Sequence, residues 1–360
     1  MAIGDWRAPK LSYIPAMTSP APFRLSVLDQ SPVAEGMTAA DAVRNTIDLA
    51  MLCDSLGYDR YWLAAHHASL SIVGVAPEAL IGPVALATKR IRVGSGGIML
   101  PHFSPFKIAE TFRLLGAMAP GRIDLGLGRA PGTDQRAAYA LQRDRSRHIL
   151  SDDFPNHVAE LLAYLSDSLP DDHVFAPLAR SLPDGTEGSP DPWMLGSSPD
   201  SAGWAGELGL PYCIADFINP HAAPLADHYR RSFRPSRWLQ EPYVMVGAWV
   251  VAAPDRDEAA ELAAPFDMMF AHFIRGIQIR IPSVEKARAW LLENPASPRR
   301  DRRMILGDPA RVREEVETLA KQYGAQEMML VNMLPTHAER RRSYELVAEA
   351  FGLRRIAAAA

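Results

Sequence analysis

Two stretches decide the fold: Arg92-Val93-Gly94-Ser95-Gly96-Gly97-Ile98-Met99-Leu100-Pro101 and Arg122-Ile123-Asp124-Leu125-Gly126-Leu127-Gly128-Arg129-Ala130-Pro131-Gly132-Thr133. Each opens as a short apolar run of strand character and passes into a glycine-rich turn. Strand ends built of small residues, with Arg129 beside them, make a floor for a flat anionic ligand. Glycine lets a ring approach the backbone, and the planar guanidinium can hold a phosphate through two hydrogen bonds. A plainer reading stays open here: the glycines relieve crowding between strands and Arg129 is an ordinary surface residue. Pro131 stands where a dinucleotide fingerprint needs its third glycine, so a Rossmann domain is disfavoured.

Working outward, short apolar runs alternate with helical patterns, which argues for βα units around a parallel sheet. Strands are expected at Arg24–Leu28, Arg60–Leu63, Ile91–Gly94, Ile123–Gly126, Trp193–Leu195, Tyr212–Ala215, Val244–Val251 and Glu327–Asn332. Eight such strands fit an α/β fold of the (β/α)8 TIM barrel type. Thr38 with Asp41 three residues on starts one helix, which Gly57 ends. Asp308-Pro309 starts another, which Gly324 ends. Two connections, after strands 4 and 7, are long enough to be insertions, with helices near His157–Leu169, Asp257–Ile274 and Val284–Leu292. Such insertions serve either as lids and substrate walls or as peripheral packing. Residues 1–22, with Pro9, Pro15, Pro20 and Pro22 and no helix or strand period, read as an extended arm. Residues 23–353 read as the barrel domain and 354–360 as a tail.

A length of 360 residues suits one barrel with insertions, and 48% hydrophobic with 22% charged residues is ordinary for a globular enzyme. A net charge of −4 offers no positive field for a nucleic acid. Cys53 and Cys213 are too few for a disulfide framework or a cysteine zinc site, and the sequence shows neither a membrane-length apolar run nor a signal pattern. A soluble cytoplasmic protein acting on small molecules is expected.

Catalytic and binding groups of a barrel collect at the C-terminal ends of its strands. Those ends read Asp29-Gln30-Ser31-Pro32, Ala64-Ala65-His66-His67, Gly94 to Leu100, Gly128-Arg129, Gly196-Ser197-Ser198 and Asp216-Phe217. The run Gly196-Ser197-Ser198-Pro199-Asp200-Ser201 opens a helix, so its hydroxyls and free N–H groups could bind an anion or could simply cap. Adjacent His66 and His67 should point to opposite sides, which makes shared metal ligation improbable; one of them facing the cavity could act as a base or donor, while either taken alone reads first as a structural histidine bonded to backbone. No histidine, cysteine or acidic cluster completes a metal site, and no Gly-x-Ser-x-Gly elbow appears.

These motifs, with Pro120-Gly121 before the second stretch and Leu208-Gly209-Leu210-Pro211-Tyr212, Pro242-Tyr243-Val244-Met245 and Ser343-Tyr344-Glu345-Leu346 after it, resemble the bacterial luciferase-like flavin monooxygenases, in particular the MsnO8-like branch. The resemblance runs from about Phe23 to Leu353. It implies a (β/α)8 barrel that takes reduced FMN from a separate flavin reductase, adds O2 to form a C4a-hydroperoxide and oxygenates a small organic substrate. It further implies His66 as the active-site histidine, Ser95, Gly96 and Gly97 beside the ring with a cis peptide at Gly96-Gly97, and Gly128, Arg129, Gly196, Ser197, Ser198 and Ser201 around the phosphate. A homodimer and a role in specialised biosynthesis are associated expectations. The family usually has a glutamate where this chain has Ala65, and Ala68, His102 and Phe103 also depart from the branch. An F420-dependent reductase of the same fold, or a catalytically silent flavin-binding homologue, are the competing readings.

Overall fold

The computed structural model describes residues 22–141, 153–183, 188–295 and 303–354. The expected arm and tail lie outside them, apart from Pro22 and Arg354. Nine strands form, all paired in parallel: β1 Arg24–Asp29, β2 Arg60–Leu63, β3 Arg92–Met99, β4 Ile123–Gly128, β5 Asp191–Gly196, β6 Tyr212–Ala215, β7 Val244–Ala252, β8 Met304–Gly307 and β9 Glu327–Val331. The ring runs β1-β2-β3-β4-β5-β6-β7-β9 and closes on β1. It is an eight-stranded barrel, and each of the eight expected strands is in it. The ninth, β8, pairs with Trp249–Ala252 at the far end of β7; its short apolar run, Met304-Ile305-Leu306, falls at the end of a stretch read as insertion.

The expected turns at Gly94 to Gly97 and Gly126 to Gly128 are instead strand, since β3 runs on to Met99 and β4 to Gly128. The reason is packing across the sheet. A Cβ on Gly94 would sit 2.6 Å from Asp124 Cβ, and one on Gly126 would sit 2.2 Å from the Ser95 carbonyl oxygen. Neighbouring strands and the Trp62 and Asp124 side chains already occupy that space, so these glycines relieve crowding. Between Ser95 and Ile98 the β3–β4 register shifts, and the Gly96–Gly97 peptide is cis.

The helix Ala39–Leu56 is capped by Thr38 in a capping box with Asp41 and ends on Gly57 in the left-handed region, φ +91°. The helix Pro309–Tyr323 starts where the Asp308 carboxylate accepts the Ala310 and Arg311 N–H groups and stops at Gly324. The insertion helices form at Phe154–Leu165, Arg256–Ile274 and Val284–Glu293.

Alternation along the strands separates two apolar layers. Tyr61, Leu63, Leu125 and Leu127 face the helices, whereas Leu28, Trp62, Trp193, Cys213, Met245, Trp249, Met329 and Val331 fill the barrel. Its N-terminal end is plugged by charge: buried Arg60 lies 2.8 Å from Asp124 and 3.0 Å from Glu327, Trp62 Nε1 donates to Asp124 at 2.9 Å, and Ser26 and Tyr243 donate to Glu327. This end is structural, which leaves the opposite mouth for chemistry.

The two insertions differ. The described part of the first packs Phe154–Leu165 on the outer helix Pro105–Met118. The second sets Phe266 and Met269 on the interior cluster and brings Ile281 beside Ala34, while Pro32 bridges to Ile72. Backbone hydrogen bonds Val33–Ser71, Val73–Ser31, Glu35–Ile281 and Ile281–Val33 tie these pieces into a small cover beside the mouth.

Candidate active site at the barrel mouth

The ends of β4 and β5 bring the proposed anion-binding residues together. Arg129, one residue past β4, reaches the helix Pro199–Glu207 that follows β5. Its Nη1 lies 3.2 Å from the Asp200 carboxylate and its guanidinium lies 5.1 Å from the Trp204 ring centre. Ser198 caps this helix by accepting the Ser201 N–H, and Ser201 Oγ donates to the Ser198 carbonyl at 2.9 Å and meets the Tyr212 hydroxyl at 2.9 Å. The capping reading of these serines is therefore realised. Gly196 is required by it, because a Cβ there would fall 2.2 Å from Ser201 Oγ. Ser197 joins Gly196 to the cap, and Gly128 immediately precedes Arg129.

This arrangement fits an anion. Asp200 places a carboxylate at a helix N-terminus beside a guanidinium, where negative charge is favoured. The pair is exposed and worth at most about 1 kcal/mol, so a phosphate can take the carboxylate's place at little cost. The ring-side residues contribute differently from expectation. Ser95 is fully buried and its hydroxyl donates to the Gly126 carbonyl at 3.0 Å, so only its backbone faces other partners. The Cβ positions of Gly96 and Gly97 are occupied by Leu28 and by the Gly126 carbonyl.

His66 continues β2. Its N–H donates to the Gly74 carbonyl at 2.8 Å, and its ring Nδ1 is buried without a partner. Burial first, and the neighbouring His67 second, lower its pKa, so it is neutral near pH 7. His67 turns away to meet His102 edge to face at 5.9 Å, and burial followed by His102 lowers its pKa too. His102 Nε2 lies 3.0 Å from the Pro131 carbonyl. A carbonyl only accepts, so Nε2 carries the proton in the neutral ring and Nδ1, buried and unpartnered, is a bare acceptor. The loops after β2, β3 and β4 thus meet through this histidine pair and through Thr133 Oγ1, which donates to the His67 carbonyl at 3.0 Å. Ala65 is buried just before His66.

Two further mouth residues escape sequence reasoning. Gln30 Oε1 and Trp249 Nε1 are both buried and lack partners; Trp249 lies tilted against Phe266 at 4.6 Å and meets Phe217 edge to face at 6.0 Å. A lone glutamine or tryptophan carries no local signal of this kind; only Gln30's place in the Asp29-Gln30-Ser31-Pro32 strand end hinted at it. Unpartnered buried polar atoms are uncommon, and their gathering here suits a polar ligand. Among the described residues, no group of three or more histidine, cysteine or acidic side chains could hold a metal, and no helix is long and apolar enough to cross a membrane.

The class of protein is defined by its relatives: it is an oxidoreductase of the luciferase-like type. The model of the family described as "Luciferase-like monooxygenase" matches residues 23–327, and the chain belongs to that family. It is 39% identical over 325 residues to the "Luciferase-like monooxygenase" of Escherichia coli K12, covering 89% of this chain and 95% of the relative. It is 35% identical over 331 residues to the "N-acetyl-S-alkylcysteine monooxygenase" of Bacillus subtilis, covering 91% and 98%. The crystal structure of apo-MsnO8 superposes with a TM-score of 0.83 at 36% identity, over 93% of this chain and 99% of that one. The oxygenating constituent of 3,6-diketocamphane monooxygenase from Pseudomonas putida, solved with FMN, shares the fold at a TM-score of 0.67 and 19% identity, over 91% of this chain and 96% of that one.

Proposed function

We propose that this protein is an FMN-dependent monooxygenase that takes up reduced flavin from a separate reductase and oxygenates a small organic substrate with O2. The observation that carries the reading is the meeting of Arg129 with the Ser198-capped helix at the ends of β4 and β5, beside the glycine end of β3. Bound reduced flavin supplies the activation of O2 at its C4a position; the protein supplies binding, orientation and dryness. Arg129 holds the phosphate, with Ser197, Ser198 and Ser201 shaping the loop around it. Neutral His66 offers Nδ1 to hold or accept a proton near the reacting atoms. The aromatic and methionine wall of Phe217, Trp249, Phe266 and Met269 under the cover excludes water and favours an apolar substrate. The sulfur substrate named for the Bacillus relative is a first compound to try.

An anaerobic titration with reduced FMN, followed by admission of O2, tests the reading. Tight binding, a transient flavin absorbance and one oxygen atom from O2 in the product are expected. Turnover of F420 without O2 uptake overturns it in favour of a deazaflavin reductase, and binding without any turnover leaves a silent flavin carrier. The reading extends to a homodimer, supported by exposed Met51, Leu86, Leu114 and Met118 on the neighbouring helices Ala39–Leu56, Pro77–Ala87 and Pro105–Met118. Light scattering at micromolar concentration should give twice the chain mass.

A further inference from the structure

The Asp29-Gln30-Ser31-Pro32 end of β1 has no part in the reading above, yet it is among the most tightly built places in the molecule. Asp29 is fully buried. Its Oδ1 accepts the Ser31 N–H and Arg340 Nη2, each at 2.8 Å, and its Oδ2 accepts the Tyr61 hydroxyl at 2.6 Å. Burial opposes its ionisation, but Arg340, Tyr61 and the Ser31 N–H together hold its carboxyl below the usual range. Ser31 adopts the left-handed region, φ +50°, and its hydroxyl accepts from Thr46 at 2.9 Å. A non-glycine residue takes that conformation only where surroundings impose it. The chain is thereby bent so that Val33 and Glu35 join the cover, and the backbone on either side of residue 30 is pinned.

That side chain is Gln30. Leu28 faces the barrel interior and Asp29 faces the helices, so alternation turns Gln30 inward. Asp29 pairs with Leu63 and Leu63 with Ser95, which puts Gln30 level with Ala64, just past β2, and with Gly96 on β3. The layer at the mouth thus reads glutamine, alanine, glycine: one polar group beside two positions with almost no side chain. Gln30 is 4% exposed, and its Oε1 has no partner. A buried carboxamide oxygen without a partner leaves its desolvation uncompensated, and something that binds at the mouth can compensate it.

We propose that Gln30 is a ligand-binding residue whose carboxamide pairs with the –CO–NH– edge of a ring lying over Ala64 and Gly96. This rests on the flavin reading: strand spacing of about 4.8 Å puts β1 roughly 10 Å from β3, within reach of a ring system on Gly96 whose phosphate lies beyond it at Arg129. A carboxamide offers one donor and one acceptor, the complement of a pyrimidinedione edge, and has no partner in a methylated benzenoid edge. The polar edge of the ring therefore faces β1.

Fluorescence titrations with oxidised FMN and with riboflavin test this in the wild type, Gln30→Met and Arg129→Ala. Methionine matches glutamine in length without its hydrogen bonds. Gln30→Met should weaken FMN and riboflavin by the same factor, about tenfold, which is the scale of one or two hydrogen bonds. Arg129→Ala should weaken FMN alone. Gln30→Leu, of different shape, should repeat the Gln30→Met pattern, and neither Gln30 variant should lower the Tm of the ligand-free protein. Wild-type affinity for riboflavin in both Gln30 variants overturns the inference while leaving the flavin reading intact. A wild type that binds neither compound brings both down.

Discussion

His66 holds an unpartnered ring nitrogen in a place that disfavours charge. The unfolded chain takes up this proton near pH 6.5, whereas the folded protein takes it up only at lower pH. Between those values the unfolded state binds more protons, so the stability due to neutral His66 is present above pH 6.5 and is lost as pH falls. His67 acts in the same direction. The Tm should therefore drop on acidification from pH 7 through 6, with a shallower slope in His66→Gln, as calorimetry would show. Turnover should hold through neutrality and fall on the acid side, and His66→Gln should lose turnover while still binding FMN. Arg129 makes the complementary case. Its exposed ion pair with Asp200 adds little to folding, so Arg129→Ala should leave the unfolding midpoint of the ligand-free protein unchanged. FMN affinity should fall about tenfold or more, the scale of a lost charge-assisted contact; unaltered affinity would remove Arg129 from the site.

At the scale of the element, β3 and β4 show what was legible. Their existence, order and arginine were readable from apolar runs and the rim pattern. Their ends were not, because a glycine run reads as a turn unless something across the sheet fills the missing side chain. Here Ser95 O, Asp124 and Trp62 do, and those contacts lie 30 or more residues away in sequence. Gly126→Val should cost about 1–3 kcal/mol or more, since its Cβ would lie 2.2 Å from a backbone oxygen, and urea unfolding measures it. The base of the same strands carries a second constraint. Arg60→Leu leaves Asp124 and Glu327 buried without their shared cation, at a cost of about 3–5 kcal/mol by the same measurement. A milder loss would mean that Arg92, 2.6 Å from Asp124, takes over the role.

At the scale of the whole molecule, five separate segments meet at one end of the barrel. The β1 loop, the β2 loop and the insertion after β7 form the cover, and the loops after β4 and β5 meet where Arg129 pairs with Asp200. Phe266→Ala opens the wall under the cover. It should cost about 2–5 kcal/mol through the cavity it leaves. It should also raise the fraction of reduced flavin consumed without product, because water gains access; tight coupling in that variant, measured as product per O2, would argue against the insertion as a wall.

Sequence alone determined the eight barrel strands and the two helices with clear caps, because these rest on local periodicity and on hydrogen bonds within a few residues. The tertiary structure decided the rest. It showed that glycines read as turns are strand, that the described part of the first insertion packs on an outer helix while Phe266 and Met269 of the second reach the barrel interior, that Ser95 is spent within the sheet, and that Gln30, His102 and Trp249 keep buried polar atoms without partners. Each of these depends on which distant atoms fill a space or leave a buried polar atom without a partner, and no local pattern in the chain encodes that.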